Sequence, residues 1–212
     1  MNAEELPKPE TTPEKISYAL GTRIGGGLKR DGIEVDRKQL LAGIMDSYSG
    51  AALKLSDEEM NAVMTAFQQE MQAKAAAAAT EAGGKNAEAG KDFLAKNGKK
   101  EGVVITESGL QYQVLTAGEG PKPTLSDKIS AHYHGTLIDG TVFDSSVDRG
   151  QPASFPVSGV IPGWTEALQL MPQGSKWRLF VPSSLAYGER GAGSSIGPHS
   201  TLIFDVELLE IE

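Results

Sequence analysis

The sequence predicts an α+β protein with an all-helical N-terminal module, a long stalk helix and a C-terminal antiparallel β half-barrel wrapped on one short helix. Residues 12 to 98 place apolar side chains at helical spacing behind capping residues. From residue 103 the pattern changes to short apolar runs bounded by turn residues, which is typical of strands. Within this second part, residues 163–171 return to helical spacing, and a sheet with one helix on its concave face is an α+β architecture.

The first helix is predicted to begin after Thr11. Glu14 follows three residues later, as in a capping box, and Pro13 suits the first turn. The glycine triplet at residues 25–27 weakens this helix by roughly 1 kcal/mol per glycine, a cost that is tolerable if another backbone packs closely there. One side of the helix carries an apolar stripe made of Ile16, Leu20, Ile24 and Leu28.

Two further helices follow with their own start signals. The second is predicted to start near Asp36, with Gln39 at the capping-box position, and to stop at Gly50. The third is predicted to start at Ser56, with Glu59 three residues later. Their apolar faces consist of Leu40, Leu41, Ile44, Met45 and Tyr48 in the second helix, and Met60, Val63, Met64, Phe67 and Met71 in the third.

The third helix is predicted to continue as a stalk. The alanine run at residues 75–79 favours helix but has nothing large to bury, and the glycines at 83–84 and at 90 permit a bend. A core of fewer than about 80 residues is marginal, and oligomerisation is one common remedy. We therefore predict a helical dimerisation module at residues 1–75, a stalk helix and linker at 76–102, and a second domain at 103–212. The alternative is a monomeric three-helix cap folded onto the second domain.

The second domain is predicted to be mainly β. Candidate strands are residues 110–115, 128–134, 142–144, 176–181 and 201–211. The short helix places Trp164, Ala167, Leu168 and Met171 at helical spacing and ends at Pro172. In the last strand, one face consists of Leu202, Phe204, Val206 and Leu208.

Composition excludes several classes of function. The 212 residues carry a net charge of −8 and a sequence pI of about 5.0, which argues against nucleic acid or an anionic membrane surface as partner. Zero cysteines exclude disulfides, thiol chemistry and cysteine zinc sites. No apolar run approaches the roughly 20 residues of a membrane span. The start of the chain lacks a charged-then-apolar leader, so the protein is either cytoplasmic or has lost its leader.

Residues 142 to 187 predict a pocket. Phe143, Val160, Ile161, Trp164 and Tyr187 lie beside glycine and proline turn residues, where side chains line a cavity rather than only fill a core. We find no nucleophile elbow and no phosphate loop beside them, and we expect no metal and no cofactor. The pocket is therefore predicted to act by shape and polarity.

His132 and His134 share one face of a strand and could bind a metal. With no third ligand nearby in sequence, a solvated or hydrogen-bonded pair is the favoured interpretation.

The motifs of this region stand in a fixed order. They are Tyr133-x-Gly135-x-Leu137, Asp139-Gly140, Phe143-Asp144-Ser145-Ser146, Val160-Ile161-Pro162-Gly163-Trp164, Ala186-Tyr187-Gly188 and a final Leu202-Ile203-Phe204-Asp205-Val206-Glu207-Leu208-Leu209. In this order they resemble the FKBP-type peptidyl-prolyl cis–trans isomerases over residues 103 to 212. The helical part, including the sequence SYALG at 17–21, resembles the bacterial macrophage infectivity potentiator (Mip) and FkpA group.

The resemblance implies an isomerase that accelerates Xaa-Pro rotation in unfolded or folding chains, with foldase or chaperone use. It implies a homodimer through the N-terminal helices, proline-containing polypeptides as clients, and macrolide inhibitors as candidate ligands. It also implies the periplasm or cell envelope if a leader has been removed, with the cytoplasm as the alternative. The rival function is a non-catalytic, client-binding chaperone on the same scaffold.

The proline site of the family carries over residue by residue, with Trp164 as its floor and Arg149 as the partner of Asp144. Two departures are expected to change macrolide affinity and sequence preference more than catalysis. Ala153 replaces the first aromatic of a Phe-x-Phe element, and the loop at 192–195 lacks the frequent aromatic or histidine, with Gly197 in place of a common proline. The matching positions are Tyr133, Phe143, Asp144, Phe155, Val160, Ile161, Trp164, Tyr187, Ile196 and Phe204.

Overall fold

The computed structural model describes residues 7–212 and divides the chain into two compact units, Met1–Phe67 and Gln68–Glu212. The first six residues of the predicted 1–75 module, on which the expectation about a leader rests, lie outside the described residues. The described part contains four α-helices and seven β-strands. The α+β class predicted from the sequence is confirmed.

The helices of the first unit begin where their capping residues predict. Helix α1 spans Thr12–Arg30, helix α2 spans Arg37–Ser49 and helix α3 spans Asp57–Asn97. Asp36 caps α2 by accepting the backbone N–H groups of residues 38 and 39, at 2.9 and 3.0 Å. At the start of α3, the Ser56 N–H donates to the Glu59 carboxylate and the Glu59 N–H donates back to the Ser56 hydroxyl. The predicted capping box at Ser56 is therefore confirmed.

Helices α1 and α2 have no buried residue within the single chain. Three members of the apolar stripe on α1, Ile16, Leu20 and Ile24, are 56, 55 and 47% exposed. Nothing lies within 4 Å of the position a Cβ would take at residue 25 or 26 of the glycine triplet. Removing exposed apolar side chains from water lowers the free energy. This surface is therefore suited to contact with another protein surface.

Helix α3 continues through Gly83 and Gly84, and its later part belongs to the second unit. Gly83, Gly90 and Asn97 are buried against that unit. The residues predicted as stalk therefore also pack on the β-rich part of the chain. The division at residues 75 and 102 into functional domains stays a prediction.

One antiparallel sheet forms the body of the second unit. Its strands are β1 (Val103–Ile105), β2 (Gln111–Thr116), β3 (Lys128–Leu137), β4 (Val142–Ser145), β5 (Ala153–Pro156), β6 (Lys176–Val181) and β7 (Leu202–Ile211). The order along the sheet is β1-β2-β6-β7-β3-β4, and β5 pairs with β3 beside it. Five of the seven match predicted strands within a few residues, whereas β1 and β5 were not predicted.

Helix α4 (Pro162–Leu170) packs against the inner face of this sheet. Its buried face presents Trp164, Ala167 and Leu168, and Met171 directly after it is also buried. The inward residues of β7 alternate as predicted, with Leu202, Phe204, Val206 and Leu208 all buried. The core therefore lies between α4 and the inner faces of β3, β6 and β7.

None of the helices in residues 7–212 has both the length and the apolar character needed to cross a membrane.

Candidate functional site

All ten predicted site residues line one cavity of about 670 Å³. This volume lies within the range of small-ligand pockets, which are concave, mostly apolar and equipped with a few polar groups. The ten are Tyr133, Phe143, Asp144, Phe155, Val160, Ile161, Trp164, Tyr187, Ile196 and Phe204, and four further lining residues are Gly159, Ala192, Gly193 and Ser195.

The start of helix α4 places Trp164 in the cavity. Ile161 is the N-cap residue and Pro162 is the first helical residue, where its fixed φ suits the helix and its missing N–H costs nothing. The Ile161 carbonyl accepts the N–H of Trp164 at 2.9 Å, so the indole is held within the first turn. Its exposed fraction is only 4%. The side chain predicted as the floor is therefore both rigidly placed and shielded from water.

Three aromatic rings meet the Trp164 indole edge-on. Tyr133 lies at a centroid distance of 5.4 Å and an interplanar angle of 85°, Phe155 at 5.8 Å and 80°, and Phe204 at 5.3 Å and 78°. Edge-to-face pairs place the positive edge of one ring against the negative face of another, and each is worth about 0.5–1.5 kcal/mol beyond area burial. The orientation of the indole is therefore fixed from several sides.

Sheet register brings these rings together. Tyr133 in β3 pairs with Val206 of β7, and Gly135 pairs with Phe204, so Tyr133 and Phe204 project to the same face. At Gly135 a Cβ would lie 2.7 Å from the Phe143 ring and 3.0 Å from the Phe204 ring. Only glycine at this position lets Phe143 and Phe204 meet as they do, with centroids 5.4 Å apart. Gly135 belongs to the motif Tyr133-x-Gly135-x-Leu137, but its steric role becomes clear only from the pairing of β3 with β7.

Among the described residues that line the cavity, one side chain, that of Asp144, is charged, and its charge is compensated. The Tyr133 hydroxyl donates to Asp144 Oδ2, and Arg149 Nη1 donates to Asp144 Oδ1. Arg149 Nη2 also donates to the Tyr133 hydroxyl oxygen at 2.8 Å. The structure thus forms the Asp144–Arg149 pair that the resemblance implies and adds Tyr133 to it.

Burial and pairing shift the pKa values of this cluster. Burial raises the pKa of Asp144, but hydrogen bonds from Tyr133 and Arg149 outweigh burial, so the net pKa lies below the ordinary value. Burial raises the pKa of Tyr133, and its hydrogen bond to the Asp144 carboxylate raises it further. At neutral pH the cluster therefore consists of a carboxylate, a guanidinium and a neutral phenol, with no net charge.

Serine side chains fix the strand that carries Tyr133. The buried Ser146 hydroxyl accepts the Tyr133 N–H at 2.8 Å and donates to the Tyr133 carbonyl oxygen at 3.2 Å.

His132 Nδ1 lies 3.1 Å from Ser146 Oγ, and His134 Nδ1 lies 3.0 Å from Ser145 Oγ. The hydrogen-bonded interpretation of the two histidines is thus confirmed. In residues 7–212, no group of three or more possible metal ligands comes together.

Hydrogen-bond donors of the described residues at the cavity are free, among them the buried indole N–H of Trp164. Within the described part of the chain, neither the Ile161 backbone N–H nor the Tyr187 hydroxyl has a hydrogen-bond partner. Tyr187 is 41% exposed, so its hydroxyl is within reach of a ligand that enters from solvent. Free donors beside an apolar floor are the polar anchors expected of a ligand pocket.

Residues 191–197 form a loop over the cavity, which we call the flap. Ala192 and Ile196 exchange two backbone hydrogen bonds, at 2.8 and 3.1 Å, which close the loop into a tight hairpin. Ile196 is buried in the wall, as predicted, whereas the lining residues Gly193 and Ser195 were not predicted because neither carries an apolar signal. Ala153, the departure noted above, packs against the core and does not line the cavity.

Comparisons with known families match both parts of the chain. A profile described as "FKBP-type peptidyl-prolyl cis-trans isomerase" matches residues 120–209. A second, described as "Domain amino terminal to FKBP-type peptidyl-prolyl isomerase", matches residues 13–114. The two matches together cover nearly all of the described residues.

Individual proteins match over almost their full length. The outer membrane protein MIP of Legionella longbeachae is 46% identical over all of this chain and 91% of that protein. The FKBP-type 22 kDa peptidyl-prolyl cis-trans isomerase of Escherichia coli K12 is 48% identical over 95% of this chain and 97% of its own. Among solved structures, FkpA from Escherichia coli matches with a TM-score of 0.73 and 41% identity, over 97% of this chain and 99% of that chain.

Proposed function

The chain belongs to the FKBP-type peptidyl-prolyl cis-trans isomerase family, and on this premise we propose that the cavity floored by Trp164 is its catalytic site. The observation that carries the proposal is the arrangement of three rings edge-on to a buried indole, beside a single carboxylate already paired with arginine. A proline ring is apolar and nearly flat, so it fits such a floor. The ten lining residues named from the sequence are the proposed substrate contacts.

The chemistry needs no nucleophile. Rotation about an amide bond must overcome a barrier of about 18–20 kcal/mol because C–N conjugation is lost. The planar amide separates charge between oxygen and nitrogen, whereas the twisted amide is less polar. A cavity that replaces water by aromatic rings therefore favours the twisted state over the planar one, which is preferential binding of a transition state. A thousandfold acceleration requires only about 4 kcal/mol of this preference.

Two polar groups of the cavity position the substrate in this scheme. The free Ile161 N–H and the Tyr187 hydroxyl hold carbonyl groups of the substrate, so that the proline ring lies on Trp164 in a fixed register. Phe143, Phe155 and Phe204 exclude water around that ring. Positioning of this kind keeps the bond to be rotated inside the apolar part of the cavity.

Asp144 serves to keep the wall rigid rather than to act on the rotating carbonyl. Its two oxygens are engaged by Tyr133 and Arg149, so its charge is compensated before substrate arrives. A carboxylate with two donors of its own is a weak partner for the carbonyl oxygen of an amide, which offers no N–H or O–H group to it.

The clients are proline-containing segments of unfolded or folding proteins, bound by a homodimer formed through the N-terminal helices. Two observations support a dimer: the exposed apolar side chains of α1 and α2, and the match of residues 13–114 to the domain found before such isomerases. Two pockets in one particle raise the affinity for a long client through avidity. Because the chain is an isomerase, chaperone use is proposed alongside catalysis and not in place of it.

The cell envelope is the proposed compartment. Its support is the name of the Legionella longbeachae relative, an outer membrane protein. Fractionation of the source cells tests this, since recovery only with cytoplasmic markers would contradict it.

Binding to the cavity is tested by NMR with an isotope-labelled full-length chain and a short Ala-Leu-Pro-Phe peptide. Amide and side-chain signals of Trp164, Ile161 and Tyr187 are expected to shift in a saturable manner. Signals of Val114 and Leu115, which are exposed in β2, serve as the control and should stay in place. Shifts confined to residues outside the cavity would contradict the assignment of the site.

A further inference from the structure

Within the second unit, one face of the later part of helix α3 packs against the β-rich part of the chain. Gly83, Gly90 and Asn97 are buried, and Asn86 and Phe93 are half-buried between them. Steps of three or four residues place these five positions on the same side of a helix. This part of α3 therefore has a defined docking face rather than the solvated surface of a free spacer.

Asn86 joins this face to the segment that follows the flap. Its side-chain amide donates to the Pro198 carbonyl oxygen at 2.9 Å and lies 3.4 Å from the Ser200 hydroxyl oxygen. Ser200 in turn donates to the Gly197 carbonyl oxygen at 2.8 Å, at the end of the flap. A side chain on α3 and the last residue of the flap are therefore connected through two hydrogen bonds.

Two glycines allow the helix to come this close. At Gly83, a Cβ would lie 3.1 Å from the His199 ring and 3.2 Å from Pro198 Cβ, a tight fit. At Gly90, a Cβ would overlap the Thr201 hydroxyl. Glycine is a poor helix former, so its presence at these positions is explained by close packing.

The segment contacted by α3 also supports the cavity. Ile196, which lines the cavity, stands directly before Gly197. The His199 N–H donates to the Gly188 carbonyl oxygen at 2.8 Å, next to Tyr187, the free donor at the cavity. His199 has a φ of 56°, an uncommon conformation for a residue with a side chain, so the contacts around it must hold it there.

We propose that helix α3 positions both the flap and Tyr187, with Asn86 as a positioning residue for the isomerase reaction. The inference rests on the proposed catalytic role of the cavity. Asn86 does not touch the cavity; it acts through Pro198 and Ser200. The later part of helix α3 thereby sets how tightly the flap and Tyr187 hold the substrate in the cavity.

The first test compares Asn86→Ala with Glu88→Ala in the full-length protein. Both replacements leave a good helix former, but Glu88 is exposed, whereas Asn86 contacts Pro198. Because the flap encloses the substrate in ground and transition states alike, its loosening is expected to raise KM more than it lowers kcat. We expect KM for a proline tetrapeptide to rise about two- to tenfold in Asn86→Ala, the factor that one hydrogen bond supplies. Glu88→Ala should match the wild type.

The second test uses the neighbouring glycines as a matched pair. Gly83→Ala and Gly84→Ala gain the same helix propensity, but a Cβ at residue 84 has nothing within 4 Å. Only Gly83→Ala should speed hydrogen–deuterium exchange of the Ile196 amide, which is bonded to Ala192 in the flap. Exchange at Leu168 and Val206 in the core should be unchanged, which separates flap loosening from a general loss of stability.

The results for these variants and for Trp164→Ala separate the positioning role of α3 from the catalytic role of the cavity. If Trp164→Ala abolishes activity while Asn86→Ala and Gly83→Ala leave KM and Ile196 exchange unchanged, the positioning role is wrong and the site stands. If Trp164→Ala leaves activity unchanged as well, the proposed catalytic site fails first. Equal effects of Gly83→Ala and Gly84→Ala would also contradict the positioning role.

Discussion

The phenol ring of Tyr133 stands edge-on to the indole of Trp164, with the ring centroids 5.4 Å apart and the planes at 85°. The same phenol donates its hydroxyl proton to Asp144 and accepts a hydrogen bond from Arg149. One side chain thus joins the apolar floor of the cavity to its polar wall. We therefore expect a change in the Tyr133–Asp144–Arg149 cluster to affect the position of Trp164.

The hydrogen-bonded cluster of Tyr133, Asp144 and Arg149 should behave as a single unit in a double-mutant cycle. Arg149→Ala and Tyr133→Phe are each expected to lower kcat/KM about two- to tenfold, the effect of one lost hydrogen bond, and the double variant should lose little more. Asp144→Asn should fall in the same range. A far larger loss for Asp144→Asn than for the other two would show that the carboxylate acts directly on the substrate.

Stability should depend on the charge of Asp144 in acid. Its folded-state pKa is lowered below the ordinary value of 3.8, so the stabilisation is complete above that value and is lost as pH falls through the folded pKa. Tyr133 and Arg149, which face it, keep their protonation states in this range. The difference in free energy of unfolding between wild type and Asp144→Asn, measured in urea, should therefore be constant above about pH 5 and shrink below about pH 4. A constant difference down to pH 2.5 would contradict this.

The apolar stripe of α1 should control the oligomeric state. Leu20→Glu places a charge on this stripe, where Leu20 is 55% exposed in the single chain, and is expected to convert a dimer into monomers in sedimentation velocity. Leu125→Glu is the matched control, because Leu125 is 52% exposed but lies outside the first unit. A wild type that sediments as a monomer would instead favour the monomeric three-helix alternative.

Dimerisation should matter for long clients and not for short ones. The Leu20→Glu variant should retain the wild-type kcat/KM on a proline tetrapeptide, since each cavity is built by one chain. It should accelerate the proline-limited refolding of a larger protein less well, because avidity is lost. The measurement is refolding rate against isomerase concentration. Equal losses on both substrates would refute the role of the second pocket.

The helix starts and the inner faces of the long strands were predictable because their signals are local. Asp36, Ser56 and the alternation in β7 each specify structure over a few residues. Strand β5 was missed because it has four residues, ends in Pro156 and is specified by its pairing with β3, which is a tertiary contact.

The ten predicted cavity residues were found as a set through the resemblance, and their spatial meeting could not be derived from local pattern. Phe143 and Phe204 lie on separate strands, and they meet because residue 135 carries no side chain. The contact of Asn86 with Pro198 joins residues 112 positions apart. No periodicity in the sequence marks such a pair, so the contact of α3 with the base of the flap became visible only in three dimensions.

The most direct measurement is a protease-free prolyl isomerisation assay of Trp164→Ala beside Trp177→Ala. Both indoles are core residues, 4 and 5% exposed, and each loss is expected to cost about 3–5 kcal/mol of stability. Trp177 stacks on Tyr112 and does not line the cavity. With both variants folded at the assay temperature, kcat/KM should fall by about tenfold or more in Trp164→Ala, a loss of at least 1.4 kcal/mol of transition-state binding, and stay near wild type in Trp177→Ala. An unchanged rate in Trp164→Ala would contradict the claim that this cavity is where the prolyl bond rotates.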